Sequence, residues 1–311
     1  MNRKDQAVFS AAADMQAQFA QALALHHDGR LIEAASIYEA ILAVDPNQTD
    51  TLHLLGMVAL QTGSPERAIE LFGQAIGRNP GFALAHGNLG AALLAVGRHS
   101  EALVALGRAL AIQPDFPDAL NNRSSALKGL GRLDRALADL DRALALQPTH
   151  LNALINKGAV LDRLERFDVA AEHYEAATQI HPDDADLALG FGVALQKSGR
   201  LEDALRQMTR AAELRPNFAE AYYNCGIALY ELKRKEEALS SYDKAIATKP
   251  DYAEAYFNRG VTLHELKGVE EALVDYDKAI SIKPDSVEAN WNKSLGLLLA
   301  SDLVRGWELY E

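Results

Sequence analysis

The chain has a single cysteine, Cys225, in 311 residues. An intramolecular disulfide is therefore ruled out, and nothing in the sequence calls for an oxidising compartment. Cys225 falls on the apolar face of a helical pattern, where a free thiol serves as a small hydrophobe. No run of about 18 apolar residues occurs, so a membrane-spanning helix is not expected. The amino end, MNRKDQAVFSAAAD, lacks a continuous apolar core of signal-peptide length. A cytoplasmic location is the expectation. Strand signals are scarce too, because no segment alternates Val, Ile or Thr with polar residues as a half-buried strand does. Basic residues are in deficit: 31 Lys and Arg stand against 43 Asp and Glu, for a formal charge of −12. That balance argues against nucleic acid, whose phosphates call for a basic stripe. Catalytic signatures are missing as well. The histidines are scattered, no H-E-x-x-H or Walker-type phosphate loop occurs, and Gly190-Phe191-Gly192 lies inside a helical pattern rather than after a strand. Acidic pairs such as Glu236-Glu237 read as first-turn helix carboxylates. Residues 1–311 are accordingly expected to be non-catalytic, with no cofactor and no metal.

What the chain has in abundance is regularity. Pro46, Pro80, Pro114, Pro148, Pro182, Pro216, Pro250 and Pro284 follow one another at intervals of 34 residues. The stretch Ala219 to Tyr252 shows what lies between two of them. Its first half places small or apolar residues at Ala221, Tyr222, Cys225, Gly226, Ala228 and Leu229, and its second half at Ala238, Leu239, Tyr242, Ala245 and Ile246. Both spacings are helical, and each helix alone has one apolar face with little to bury it against. Lys233 to Lys235 breaks the pattern, and Pro250 cannot continue the second helix because it lacks an N–H and its ring clashes with the preceding turn. The unit is a helical hairpin that needs neighbours, and the repeat supplies them. The predicted organisation is a leader over 1–14, eight 34-residue units over 15–286, and a ninth unit, 287–311, that stops inside its second helix.

Small residues recur where helices must meet. The eighth place of each unit holds Ala22, Gly56, Gly90, Ser124, Gly158, Gly192, Gly226, Gly260 and Ser294. Glycine in mid-helix costs about 1 kcal/mol relative to alanine, so its recurrence implies that another backbone comes close there. The twentieth place is alanine from Ala34 to Ala272, and a large side chain follows four residues later, as at Tyr38, Phe72, Tyr174, Tyr242 and Tyr276. Alanine also fills the twenty-seventh place from Ala75 to Ala279. This pattern resembles the tetratricopeptide repeat (TPR) family over residues 15–311. The resemblance implies an all-α solenoid, antiparallel helix pairs stacked into a right-handed superhelix, with the first helix of each pair lining a concave groove.

One recurrence calls for a ligand or a structural cause. The sixth place is asparagine at Asn88, Asn122, Asn156, Asn224, Asn258 and Asn292, but Ala20, Leu54 and Gly190 elsewhere. Asparagine is a mediocre helix former. Two readings follow: a file of amides in the groove that matches the backbone of an extended peptide, or amides bonded to the neighbouring repeat or to water. The file resembles that of the TPR region of protein O-GlcNAc transferases, where groove asparagines hold the substrate polypeptide; here it is interrupted at Gly190. Beside it, the fifth places become aromatic at Tyr223, Phe257 and Trp291. Tyr223 and Phe257 are expected to form an apolar shelf for a ligand, and Trp291 to bury against a following repeat. Mostly acidic second places (Asp50, Asp118, Asp186, Glu220, Glu254, Glu288) argue against the carboxylate clamp of chaperone adaptors. Arginine at the sixteenth place (Arg30, Arg98, Arg132, Arg166, Arg200, Arg234) is expected to sit at the C-terminal end of the preceding helix.

The expected function is a scaffold binding a protein or peptide ligand in the groove, without nucleic acid or membrane; a homo-oligomer is compatible with it. The alternative comes from the tail. Trp291, Ser294, Leu295, Leu298, Asp302, Gly306, Trp307, Tyr310 and Glu311 resemble the closing unit of bacterial proteins that join TPR arrays to glycosyltransferase domains. On that resemblance the chain is the substrate-recruiting region of a glycosyltransferase whose catalytic domain lies beyond residue 311. A stop codon soon after Glu311 excludes it.

Overall fold

The computed structural model describes the backbone of residues 3–299 and the side chains of residues 13–298. The tail residues Asp302, Gly306, Trp307, Tyr310 and Glu311 lie outside the described residues. Those described form seventeen α-helices: α1 (Arg3–His27), α2 (Leu31–Val44), α3 (Thr49–Gln61), α4 (Pro65–Arg78), α5 (Ala83–Ala95), α6 (His99–Ile112), α7 (Pro117–Gly129), α8 (Leu133–Leu146) and α9 (Leu151–Arg163), then α10 (Phe167–Ile180), α11 (Ala185–Lys197), α12 (Leu201–Leu214), α13 (Ala219–Glu231), α14 (Lys235–Thr248), α15 (Ala253–Glu265), α16 (Val269–Ile282) and α17 (Val287–Leu299). Residues 3–14 of the expected leader are helical and continuous with α1. The chain divides into two compact units, one ending at Val160 and the other beginning at Leu161. Within them, α1 to α8 and α11 to α16 pair antiparallel as successive odd and even helices, and α2, α4, α6, α10, α12, α14 and α16 also pack on the helix that follows.

Two devices set the length of each hairpin. The first is a left-handed residue at the fifteenth place of the unit, where φ is +75° at Gly29, +77° at Gly63 and +78° at Gly199. There the chain leaves one helix with the paired bonds Gly29 N–H to His26 O and Arg30 N–H to Leu25 O, which satisfy orphan carbonyls. Glu165, Lys233 and Lys267 hold the same backbone at φ +56°, +65° and +67° without being glycine. The second device is the proline. Its ring forces the preceding residue out of the helical region, and Asp45, Gln113 and Lys249 are accordingly extended C-caps.

Packing follows the small-residue register, with one correction. What approaches the eighth-place glycines is the large side chain of the twenty-fourth place rather than a backbone. A Cβ on Gly226 would lie 2.4 Å from Tyr242 Cε1, and one on Gly56 would lie 2.7 Å from Phe72 Cε1. At Gly192 backbone comes near as well, with Ala204 O at 3.1 Å. The missing methyl is the hole and the ring is the knob. Tyr38, Phe72, Leu106, Leu140, Met208 and Tyr276 are fully buried there. Arginine at the sixteenth place also departs from expectation. Arg30, Arg98, Arg200 and Arg234 are N-cap residues of the following helix, and they bond to carboxylates in its first turn, Glu33, Glu101, Asp203 and Glu237. A negative charge already suits that end of the helix, and the arginine partners it.

Candidate functional site

The odd-numbered helices carry the asparagines, and their amides fall into two groups. Asn88, Asn156 and Asn258 reach the preceding repeat: their Nδ2 groups lie 2.8 Å from His53 Nε2, 2.9 Å from Asn121 Oδ1 and 2.9 Å from Tyr223 Oη. Each partner is the fifth residue of its unit, so the pair is 35 residues apart in a chain that repeats every 34. The same offset recurs two turns further along these helices, in His26–Gln61, Asp162–Lys197, Gln196–Glu231 and Tyr230–Glu265. These polar pairs join successive first helices across two tracks. Where the preceding fifth place offers no polar atom, the amide turns inward. Asn224 follows Leu189 and donates to Glu220 O at 2.7 Å, and Asn292 follows Phe257 and donates to Glu288 O at 2.9 Å. Asn122 follows Gly87 and accepts from its neighbour Asn121 at 3.4 Å.

The interruption at Gly190 has a steric cause. A Cβ there would lie 2.6 Å from Cζ of Tyr174 and 2.8 Å from its hydroxyl. The tyrosine occupies the space that an asparagine side chain needs.

Three of the expected site residues converge in the second unit. Tyr223, Phe257 and Asn258 line one cavity of about 320 Å³, together with Glu254, Lys283, Ser286 and Glu288. Tyr223 is fixed from behind by Tyr252, ring centroids 4.9 Å apart, and by Tyr242 at 6.2 Å. Phe257 leans on Tyr276 at 6.1 Å. Burial, and then the charge of Glu254, hold the Tyr223 phenol above its ordinary pKa, so the ring stays neutral. Its oxygen accepts from Asn258, which leaves the hydroxyl hydrogen for an acceptor in the cavity. Asn258 keeps its Oδ1 and one amide hydrogen. Lys283 Nζ stands 3.7 Å from Glu254 Oε1 at the rim. Lys283 and Ser286 were not expected at this site. Their signal was available, since the residue before each proline is cationic at Arg215, Lys249 and Lys283 and pairs with the acidic second place of its own unit, Asp186, Glu220 and Glu254.

The other candidates stay apart from this cavity. Trp291 is 45 % exposed. Cys225 is buried with its thiol pushed up to about 11 by burial, in keeping with an inert core role. Among the described residues no group of three or more His, Cys, Asp or Glu could hold a metal ion, and no helix is long and apolar enough to cross a membrane.

The repeat unit, its paired helices and its packing register are matched by a family model. The tetratricopeptide repeat model matches residues 5–49, 53–119, 121–185 and 189–253, and a second tetratricopeptide repeat model matches 241–274. The chain belongs to the tetratricopeptide repeat family. Comparison with curated proteins returned no match. Among solved structures, this TPR chain is similar to one in "Crystal structure of APC/C hetero-tetramer Cut9-Hcn1", with a TM-score of 0.68 at 19 % identity. That match covers 86 % of this chain and 52 % of the other, so the chain spans about half the length of that structure. A tetratricopeptide repeat protein from Parabacteroides merdae matches with a TM-score of 0.63 at 20 % identity, over 80 % of this chain and 98 % of its own. YrrB, described as "a TPR protein with an unusual peptide-binding site", is 31 % identical over 64 % of this chain and 98 % of its own, with a TM-score of 0.48. At these values the first two likenesses are likenesses of fold.

Proposed function

We propose that the chain is a non-catalytic TPR module that binds an extended polypeptide segment on the first-helix face of its second unit, at the cavity of Tyr223, Phe257 and Asn258. TPR proteins typically act in protein–protein interaction. The observation that supports the reading here is the pairing of two ring-backed aromatics with a half-used amide in one cavity. Tyr223 and Phe257 offer rigid apolar area at low entropy cost. The Tyr223 hydroxyl and the Asn258 amide offer a donor and an acceptor to a peptide backbone whatever its side chains. Asn224 and Asn292, bonded only within their own helices, flank the cavity in register and extend the amide file.

The experiment is selection of linear peptides on the purified chain, followed by titration of the selected peptide against Phe257→Ala. Loss of a buried aromatic anchor is expected to weaken binding by about 2 kcal/mol or more, with the circular-dichroism melt little changed. Equal affinity for the wild type, Phe257→Ala and Tyr223→Ala places the peptide elsewhere and ends this reading.

A further inference from the structure

The two units contain equivalent furrows on their second-helix side, and the two differ in charge. One is flanked by α6 and α8 over α7, the other by α14 and α16 over α15; their volumes are about 360 and 370 Å³. Each is floored by an arginine at the seventh place that makes two bonds to a buried aspartate at the twenty-third. Arg123 Nε and Nη2 donate to Asp139 at 2.6 Å each, and Arg259 Nε and Nη2 donate to Asp275 at 2.8 and 2.6 Å. In the second unit the remaining edge of the guanidinium is also used, since Arg259 Nη1 donates to Asp243 Oδ1 at 2.5 Å. The residue equivalent to Asp243 in the first unit is Gly107, and nothing lies within 4 Å of where its Cβ would be.

The remaining substitutions act in the same direction. Glu271 lines the second furrow at the nineteenth place, and the first has Arg135 there, joined by Arg132. The sixteenth-place arginines Arg30, Arg98, Arg200 and Arg234 pair with a nineteenth-place carboxylate. In the unit of Arg132 that carboxylate is replaced by Arg135, and among the described residues neither arginine has an ion-pair partner. The lining charges leave the first furrow at +2 and the second at −2. In a chain of net charge −12, this is a concentrated positive site with one arginine edge open and a vacated carboxylate position before it.

We infer that the furrow of Arg123, Arg132 and Arg135 binds a phosphate group, whose oxygens take the place on Arg123 that the Asp243 carboxylate takes on Arg259. Guanidinium forks match phosphate oxygens bidentately, and a phosphate dianion balances the furrow's charge where a carboxylate leaves one positive charge over. Free phosphate and a phosphorylated side chain share this chemistry.

The test is calorimetric titration of the full chain, at low and at moderate salt, with inorganic phosphate, N-acetyl-phosphoserine amide and acetate. Phosphate is expected to bind the wild type, more weakly as salt rises. Arg135→Gln is expected to weaken it about tenfold or more, the loss of one charge-assisted contact. Gly107→Asp restores the internal carboxylate and is expected to abolish binding. Arg135 is exposed, so its variant keeps the wild-type melt and carries the test if Gly107→Asp alters the fold. Tighter binding of the phosphoserine amide than of phosphate assigns the site to a modified polypeptide; the reverse order assigns it to the free ion, and both support the site. No phosphate binding to the wild type overturns the inference, as do equal affinity in Arg135→Gln and acetate binding as tight as phosphate.

Discussion

At the scale of the residue, two kinds of position separate cleanly. The left-handed turn residue is glycine in five of the eight turns whose φ is positive, and Glu165, Lys233 and Lys267 in the others. A side chain in that conformation costs about 1–2 kcal/mol. Lys233→Gly and Lys267→Gly are therefore each expected to raise stability by about 1 kcal/mol, read as a higher midpoint in chemical denaturation. The asparagines separate by partner. Asn156→Ala leaves the Oδ1 of Asn121, a buried side chain, without the donor it has from Asn156, and is expected to cost about 1–3 kcal/mol, the range for a buried polar group left unsatisfied. Asn224→Ala removes a bond to its own helix and is expected to leave stability nearly unchanged. Equal costs in the two variants contradict the division into amides that join successive repeats and amides bonded within their own helix. This division was not legible in the sequence. All six asparagines occupy the same place in the repeat, and only the fifth residue of the preceding unit, His53, Asn121 or Tyr223 against Gly87, Leu189 or Phe257, tells them apart.

At the scale of the element, the first helices are joined by polar pairs as well as by apolar contact, and one of these titrates. His53 is buried beside Phe72 and Phe82 and lies 2.8 Å from Asn88 Nδ2. With the amide donating, Nε2 must be unprotonated. Burial outweighs the nearby Asp50 and holds the His53 pKa below its ordinary value. The unfolded chain then takes up this proton at a higher pH than the folded one. The contribution is complete above the unfolded pKa of about 6.5 and is lost as the pH falls from there through the folded value. Denaturation midpoints are expected to drop between pH 7 and pH 5, and less steeply in His53→Gln. Parallel slopes in the two proteins contradict this account of the α3–α5 contact. The helices themselves were legible because apolar period, proline and small residues agree within every unit. What approached the eighth-place glycines was not, because a backbone and a tyrosine ring impose the same demand for a missing Cβ.

At the scale of the whole molecule, repetition supplies the fold, and the two sites proposed above both lie at departures from it. The proline spacing fixed the hairpins, and the TPR family follows from their register. The cavity proposed to bind sits where the repeat becomes aromatic, at Tyr223 and Phe257, and that much was visible in the chain. Lys283 and Ser286 join it because the loop after α16 lies beside the start of α15; the recurring pair of a cation before the proline and an acid at the second place marks Lys283, and no pattern of the repeat marks Ser286. The most direct measurement places a photo-reactive benzophenone side chain at Lys283, on the cavity, and separately at Val274, which is 67 % exposed on the second-helix side. With a selected peptide bound, crosslinking is expected from position 283 and not from 274. Crosslinking from 274 with none from 283 contradicts the account.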